Sequence, residues 1–232
     1  DFFKDGSDAF VTAVAAGTAA IVYTVAGSGG CSAATVSRNI IVSAPPTAGT
    51  LSGNQSICVG STTNFIPSVT GGTWSSTSPS IATVNATTGV ITGVTSGTTN
   101  IDYTIAGTGG CSPATVSRSV TVTNPVSAGT LSGNQNICVG NTTIFIPTVT
   151  GGTWTSSNTA LATVNNLGVV TGVAAGTATI NYTVSGTGGC ANAIATRTVS
   201  VAAIPNAGTL NGNQNVCIGF STNFSSTVTG GT

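Results

Sequence analysis

Charge is what this sequence lacks most. Its 232 residues hold four Lys or Arg, four acidic residues and no His. Glu is missing altogether, and the one Lys is Lys4. General acid–base chemistry is therefore short of its usual side chains, and the chain is not expected to be an enzyme. Four basic residues cannot lay down the phosphate-neutralising footprint of a nucleic-acid binder, so no nucleic acid is expected as a partner. Long apolar runs are also lacking. Thr, Ser and Gly interrupt every one before the ~20 residues a membrane-spanning helix needs, so no membrane insertion is expected of this segment. Disorder fits poorly as well, because 40% of the residues are hydrophobic and few are charged. What remains is a β-rich chain of structural type.

The few charges are unevenly placed. Asp1, Lys4, Asp5 and Asp8 lie in the first eight residues, leaving Arg38, Asp102, Arg118 and Arg197 for the remainder. The three Arg recur once per repeat in a final strand. Burying an unpaired guanidinium is costly, so each is expected to face solvent or to donate to backbone carbonyls. Solubility must come from hydroxyls and amides.

What is present is a repeat. AGTLSGNQSICVG begins at Ala48, AGTLSGNQNICVG at Ala128 and AGTLNGNQNVCIG at Ala207, at offsets of 80 and 79 residues. TGGTW recurs at Thr70–Trp74 and Thr150–Trp154. IATVNATTGVITGV from Ile81 matches LATVNNLGVVTGV from Leu161, one residue shorter. IVYTVAGSGGC, IDYTIAGTGGC and INYTVSGTGGC end at Cys31, Cys111 and Cys190. The expected division is 1–46 as the C-terminal half of a repeat, with 1–9 atypical. Residues 47–126 and 127–205 form complete repeats, and 206–232 the N-terminal part of a further one. Because both ends fall out of phase with the repeat, the expectation is a segment of a longer array. Short proline-marked linkers at 43–49, 123–129 and 202–208 predict stiff joints.

Each repeat reads as strands. In 99–105, Thr99, Ile101, Tyr103 and Ile105 share one face, while Asn100, Asp102 and Thr104 share the other. Similar runs are expected at 63–69, 80–84, 89–94 and 114–122, divided by Gly-rich turns at the spacing of a sandwich or barrel. A unit of about 80 residues with six or seven strands can enclose one modest core. Phe65, Trp74, Tyr103, Phe145, Trp154 and Tyr182 are its expected aromatics. GSGG and GTGG read as hairpin tips rather than phosphate cradles, since no helix follows and no Lys is near. Calcium would need several carboxylates, and the repeat interior has only Asp102, so no metal or other cofactor is expected. The Asn-x-Ser/Thr sequons at Asn54, Asn85, Asn141, Asn181 and Asn223 are chance products of a Thr-rich sequence.

The run VGSTTNF, then GGTWSSTSPSIATVNATTGVITGVTSGTTNIDYTI, then SVTVT, resembles the bacterial immunoglobulin-like domains of group 2. The resemblance covers nearly all of both full repeats and their partial neighbours. It implies an all-β chain of tandem immunoglobulin-like β-sandwich domains in a linear array. Such domains act as spacers in adhesins, surface-layer proteins and large secreted enzymes, so the fold is better specified than the role. The ICVG and GTGGC motifs look like those of giant secreted or cell-surface repeat proteins of Bacteroidota, which implies an extracellular location and export by the type IX route.

Six cysteines stand at Cys31, Cys58, Cys111, Cys138, Cys190 and Cys217. They are not clustered as zinc ligands, and no His is present to activate a catalytic thiol. An evenly repeated pair in an extracellular-type domain reads as disulfide. One connectivity is within repeats, Cys58–Cys111 and Cys138–Cys190. Immunoglobulin topology disfavours it: these residues fall at opposite ends of a sandwich whose eight-residue strands span ~27 Å, whereas a disulfide needs Cα atoms within ~7 Å. The second option staples Cys58 to Cys190, and Cys138 to a cysteine further on. A bridge to a neighbouring chain is the third. The repeats contain no Lys, so Lys–Asn isopeptide bonds cannot stiffen them.

The functional expectation is a structural repeat segment of an extracellular filament, stalk or adhesin shaft. Its partners would be neighbouring repeats of the same chain, with self-association into fibres as an extension. A glycan- or surface-binding adhesin module and a spacer region of a large secreted enzyme are the alternatives. TGGTW, GTGGC and ICVG hardly vary between repeats, which favours the shaft over a set of binding loops.

Overall fold

The computed structural model describes residues 4, 5 and 8–230, with side chains from residue 10 onward. The expectation of an atypical stretch at 1–9 lies partly outside the described residues. The chain divides into two compact units. One comprises Asp1–Pro125 together with Thr187–Cys190, and the other Val126–Gly186 together with Ala191–Thr232. Every described element is a strand, and the chain is all-β with an immunoglobulin-like plan.

In the first unit the long hairpin Gly97–Ile105 and Ala114–Thr123 anchors a four-stranded sheet, flanked by Thr73–Ser76 and Ser56–Cys58. Ser56–Cys58 runs parallel to the hairpin's second arm, pairing with Thr121–Thr123. A three-stranded sheet of Ala82–Val84, Val90–Gly93 and Thr62–Asn64 forms the other layer. Between them lies one apolar cluster drawn from both sheets, including Ile57, Phe65, Trp74, Ile91, Ile101, Tyr103, Val120 and Val122. The alternation expected for 99–105 is observed: Thr99, Ile101 and Tyr103 are buried and Asn100 is exposed. Buried Thr99 is satisfied by a 3.0 Å hydrogen bond with the Thr77 hydroxyl.

The run 63–69 differs from expectation, being two strands rather than one. Thr62–Asn64 joins the three-stranded sheet, whereas Ile66–Pro67 pairs with Leu51–Ser52. The switch falls at Phe65, whose ring is buried at 3% exposure, and Pro67 cannot donate to a continuing ladder. Residues 47–126 therefore hold nine strands, more than the six or seven expected.

The second unit repeats this plan. Asn136–Cys138, Ala193–Ala202, Gly176–Val184 and Thr153–Ser156 form its four-stranded sheet, and Thr142–Ile144, Val169–Gly172 and Ala162–Val164 its three-stranded one. Its core separates into two clusters. One centres on Phe145, Val170, Ile180 and Val199, the other on Leu131, Tyr182 and Ala195, and half-buried Trp154 touches both. Ala178 and Ala195 stand where the first unit has Thr99 and Val116, so smaller side chains thin the middle of this core. The one-residue deletion is absorbed in a turn. Asn85 Oδ1 accepts from the Thr87 and Thr88 amides, and Asn165 Oδ1 from the Leu167 and Val169 amides.

Two further hairpins resemble parts of this plan. Gly17–Val25 pairs with Ala34–Val42 in the register of Gly97–Ile105 with Ala114–Val122. Leu210–Gly212 pairs with Phe224–Ser226. Both expose residues whose counterparts are buried elsewhere: Tyr23 is 61% exposed where Tyr103 is 2%, and Phe224 is 54% exposed where Phe65 is 3%.

Candidate functional site

The chemistry-bearing side chains of this chain are its cysteines, and one place brings two of them together. Local hydrogen bonds fix the first. Asn54 closes a turn by accepting from the Ser56 amide and donating to the Ser56 carbonyl. Gln55 donates to the Ser119 carbonyl, and its own carbonyl accepts from the Thr121 amide at 2.7 Å. The Val59 amide then donates to the Thr123 carbonyl at 2.9 Å. Cys58 is thereby pinned, 7% exposed, beside Thr123 at the end of the four-stranded sheet.

The second comes from the loop Thr187–Cys190, closed by a 3.0 Å bond from the Cys190 amide to the Thr187 carbonyl. Its two glycines have φ of +59° and +83°, a conformation other residues adopt only under strain. Space requires them too. A β-carbon on Gly188 would press on the Thr123 hydroxyl, and one on Gly189 would stand 2.7 Å from the Ser56 carbonyl oxygen. The loop thus lies flush on the strand ends, and Cys190 bonds to Cys58 with Cα atoms 4.7 Å apart. Cys190 Sγ is 3.4 Å from the Thr123 carbonyl oxygen.

Of the three connectivities, the structure has the Cys58–Cys190 bridge, joining positions 132 residues apart. Cys111 and Cys138 are free thiols, so neither within-repeat pair, Cys58–Cys111 or Cys138–Cys190, is formed. Cys31 and Cys217 are also free. Cys111 nonetheless sits in the same kind of seat. Its amide donates to Thr108, and its Sγ lies 3.5 Å from the Ser43 carbonyl oxygen, Ser43 being the counterpart of Thr123.

The recurring arginines close a second constellation. Arg118 donates to the carbonyls of Leu51 at 2.9 Å and Gly53 at 3.1 Å, and its guanidinium stands over the Phe65 ring at 5.5 Å. Arg197 does the same toward Leu131, Gly133 and Phe145, with three hydrogen bonds. Arg118 Nε is buried without a partner, whereas Arg197 Nε reaches Gly133. Arg38, in the partial repeat, is exposed. Of the two expectations for these arginines, Arg118 and Arg197 take the bonds to carbonyls and Arg38 faces solvent. Stacking on the phenylalanine was not expected, although Phe65/Arg118 and Phe145/Arg197 recur at nearly constant separation.

Of the six expected core aromatics, Phe65, Trp74, Tyr103, Phe145 and Tyr182 are buried and Trp154 is half-buried. Trp74 packs on Tyr103 at 4.6 Å between centroids, and Trp154 on Tyr182 at 4.7 Å. Each tyrosine hydroxyl also accepts a 2.7 Å bond from the Gly72 or Gly152 amide, fixing the TGG turn. Among the described residues no three His, Cys, Asp or Glu side chains group as metal ligands, and no helix is long and apolar enough to cross a membrane.

Several solved structures are similar to this chain. The C-terminal 282-residue fragment of intimin, in complex with the intimin-binding domain of its translocated receptor, is 16% identical with a TM-score of 0.40. That similarity covers 65% of this chain and 62% of the fragment. The surface-layer protein SbsC is 17% identical with a TM-score of 0.30, over 91% of this chain and 38% of its own. A SusE-like surface-located polysaccharide-binding protein from the heparin utilisation locus of Bacteroides thetaiotaomicron is 13% identical with a TM-score of 0.26, over 66% and 33%. The chain thus spans less than two thirds of each of these structures. No curated protein sequence matches it. Residues 141–195 match the family model of the bacterial Ig-like domain (group 2).

Proposed function

We propose that this chain is a structural repeat segment of an extracellular filament, stalk or adhesin shaft. Its units are 1–46, 47–126, 127–205 and 206–232, of which the two central ones are complete immunoglobulin-like domains. The observation that carries this reading is the Cys58–Cys190 bridge. It ties the second strand of one repeat to the last hairpin loop of the next, and a bond of that span serves cohesion rather than chemistry. Proline-marked linkers and near-absence of charge agree with a stiff, chemically inert polymer. An oxidising extracellular location agrees with the bridge. Catalysis has no part in this reading.

Two measurements test it. Non-reducing peptide mapping of the purified protein is expected to return a Cys58–Cys190 peptide pair, and a Cys58–Cys111 pair would overturn the staple. Negative-stain electron microscopy is expected to show elongated particles. Compact, roughly spherical ones would remove the shaft.

A further inference from the structure

The Cys58–Cys190 bridge sorts the chain into residues it encloses and residues it leaves outside. Its Cα atoms are 4.7 Å apart, although the two positions are separated by 132 residues. Tension that reaches Cys58 from one side leaves at Cys190 through the sulfurs, because those few bonds are the shortest covalent path. The strands from Thr62–Asn64 to Gly176–Val184 all lie inside the closed loop. Of the two complete repeats, only the segment leading through Leu51–Ser52 and Ser56–Cys58 and the strand Ala193–Ala202 carry the load.

Both loaded segments are fastened by the same kind of link. In each unit an Arg and a Gln couple the opening segment to the last long strand. Arg118 donates to the carbonyls of Leu51 and Gly53, and Gln55 donates to the Ser119 carbonyl and hydroxyl, both at 3.0 Å. Arg197 donates to Leu131 and Gly133, and Gln135 to the Thr198 carbonyl and hydroxyl, again at 3.0 Å. A 2.7 Å backbone bond completes each link, from the Thr121 amide to the Gln55 carbonyl and from the Ser200 amide to the Gln135 carbonyl. The guanidinium bonds are charge-assisted and belong to the stronger class of hydrogen bond.

The bridge sets both links across its boundary, from opposite sides. In the first unit Leu51, Gly53 and Gln55 are outside the loop, while Arg118 and Ser119 are inside. In the second, Leu131, Gly133 and Gln135 are inside, while Arg197 and Thr198 are outside. By contrast, the bonds of the Tyr103 and Tyr182 hydroxyls to the Gly72 and Gly152 amides lie wholly within the loop.

We infer that this chain bears tension along its length. The bridge shields residues 59–189 from load, and the two Arg–Gln links are the latches that hold the loaded segments to the shielded body. The enclosed strands add no length to the oxidised chain even when they lose their fold. Reduction returns them to the load path and makes the same chain extensible.

This inference deepens the shaft reading and rests on it. The test is to stretch the full chain in optical tweezers through terminal tags that attach without thiol chemistry. Oxidised and reduced samples are expected to differ at full stretch by about 45 nm, the span of 132 residues at ~3.4 Å each. Equal lengths would overturn the shielding. At constant force, the time to full extension reads the latches, because forced release is governed by a rate. In the oxidised chain R118K and R197K are each expected to shorten that time several-fold, since an ammonium cannot span two carbonyls as the fork does. Y182F removes a hydrogen bond enclosed by the loop and is expected to lower the urea midpoint while leaving the time unchanged. Unchanged times in both Arg variants, or an equal shortening in Y182F, would overturn the latches. Elongated particles in electron microscopy combined with equal stretched lengths would overturn this inference alone. Compact particles would remove the shaft, and this inference with it.

Discussion

At the scale of the residue, the arginines show what a single side chain does in a chain almost without charge. A guanidinium presents a planar fork of donors, and Arg197 uses it to satisfy the Leu131 and Gly133 carbonyls while its face rests on Phe145. An ammonium has neither the fork nor the flat face. Arg197→Lys is expected to cost about 1–3 kcal/mol, read from the urea midpoint of the purified chain. Arg38 occupies the same place in its repeat but is exposed. Arg38→Lys is therefore expected to stay within about 0.5 kcal/mol of the parent. Equal losses from both substitutions would contradict the clamp. The repeat of the three arginines was legible in the sequence. That two of them cap a phenylalanine was not, because Phe65 and Arg118 meet only once five intervening strands are folded.

At the scale of the element, the Gly-Gly-Cys loop decides whether the bridge forms. Its backbone conformation and its contact with Thr123 leave no room for a side chain at Gly188. Gly188→Val is expected to lift the loop and leave Cys58 and Cys190 as thiols. Titration with Ellman's reagent under native conditions then detects both in addition to the free cysteines, whereas an unchanged thiol titre would refute the steric account. Strand alternation in 99–105 followed directly from a period-two pattern of Thr, Ile and Tyr. The break at Phe65 did not, because alternation specifies which face a side chain takes but not which sheet the backbone joins.

At the scale of the whole molecule, small cores and hydroxyl-rich surfaces leave covalent cross-links much of the stabilising role. Cross-strand threonine pairs such as Thr98–Thr121 and Thr104–Thr115, at 3.1 and 2.9 Å, are exposed and contribute modestly. By the chain-entropy account a bridge between positions 132 residues apart is worth up to about 5 kcal/mol. Reduction, or Cys58→Ser with Cys190→Ser, is thus expected to lower the thermal midpoint by several degrees while far-ultraviolet circular dichroism at 25 °C stays β-type. A midpoint indifferent to reduction would show that the bridge constrains nothing in the unfolded state.

Sequence by itself determined the class of this protein. Alternating β-branched residues, glycine turns and an 80-residue period leave only a repeated all-β unit, because patterning and turn chemistry are local. It also marked the cysteines as structural, since the scarcity of charge removes the groups that would make a thiol catalytic. Only the tertiary structure chose among their pairings. Disulfide partners are set by proximity in space, and Cys58 meets Cys190 because a parallel strand and a flush glycine loop deliver both to the end of one sheet.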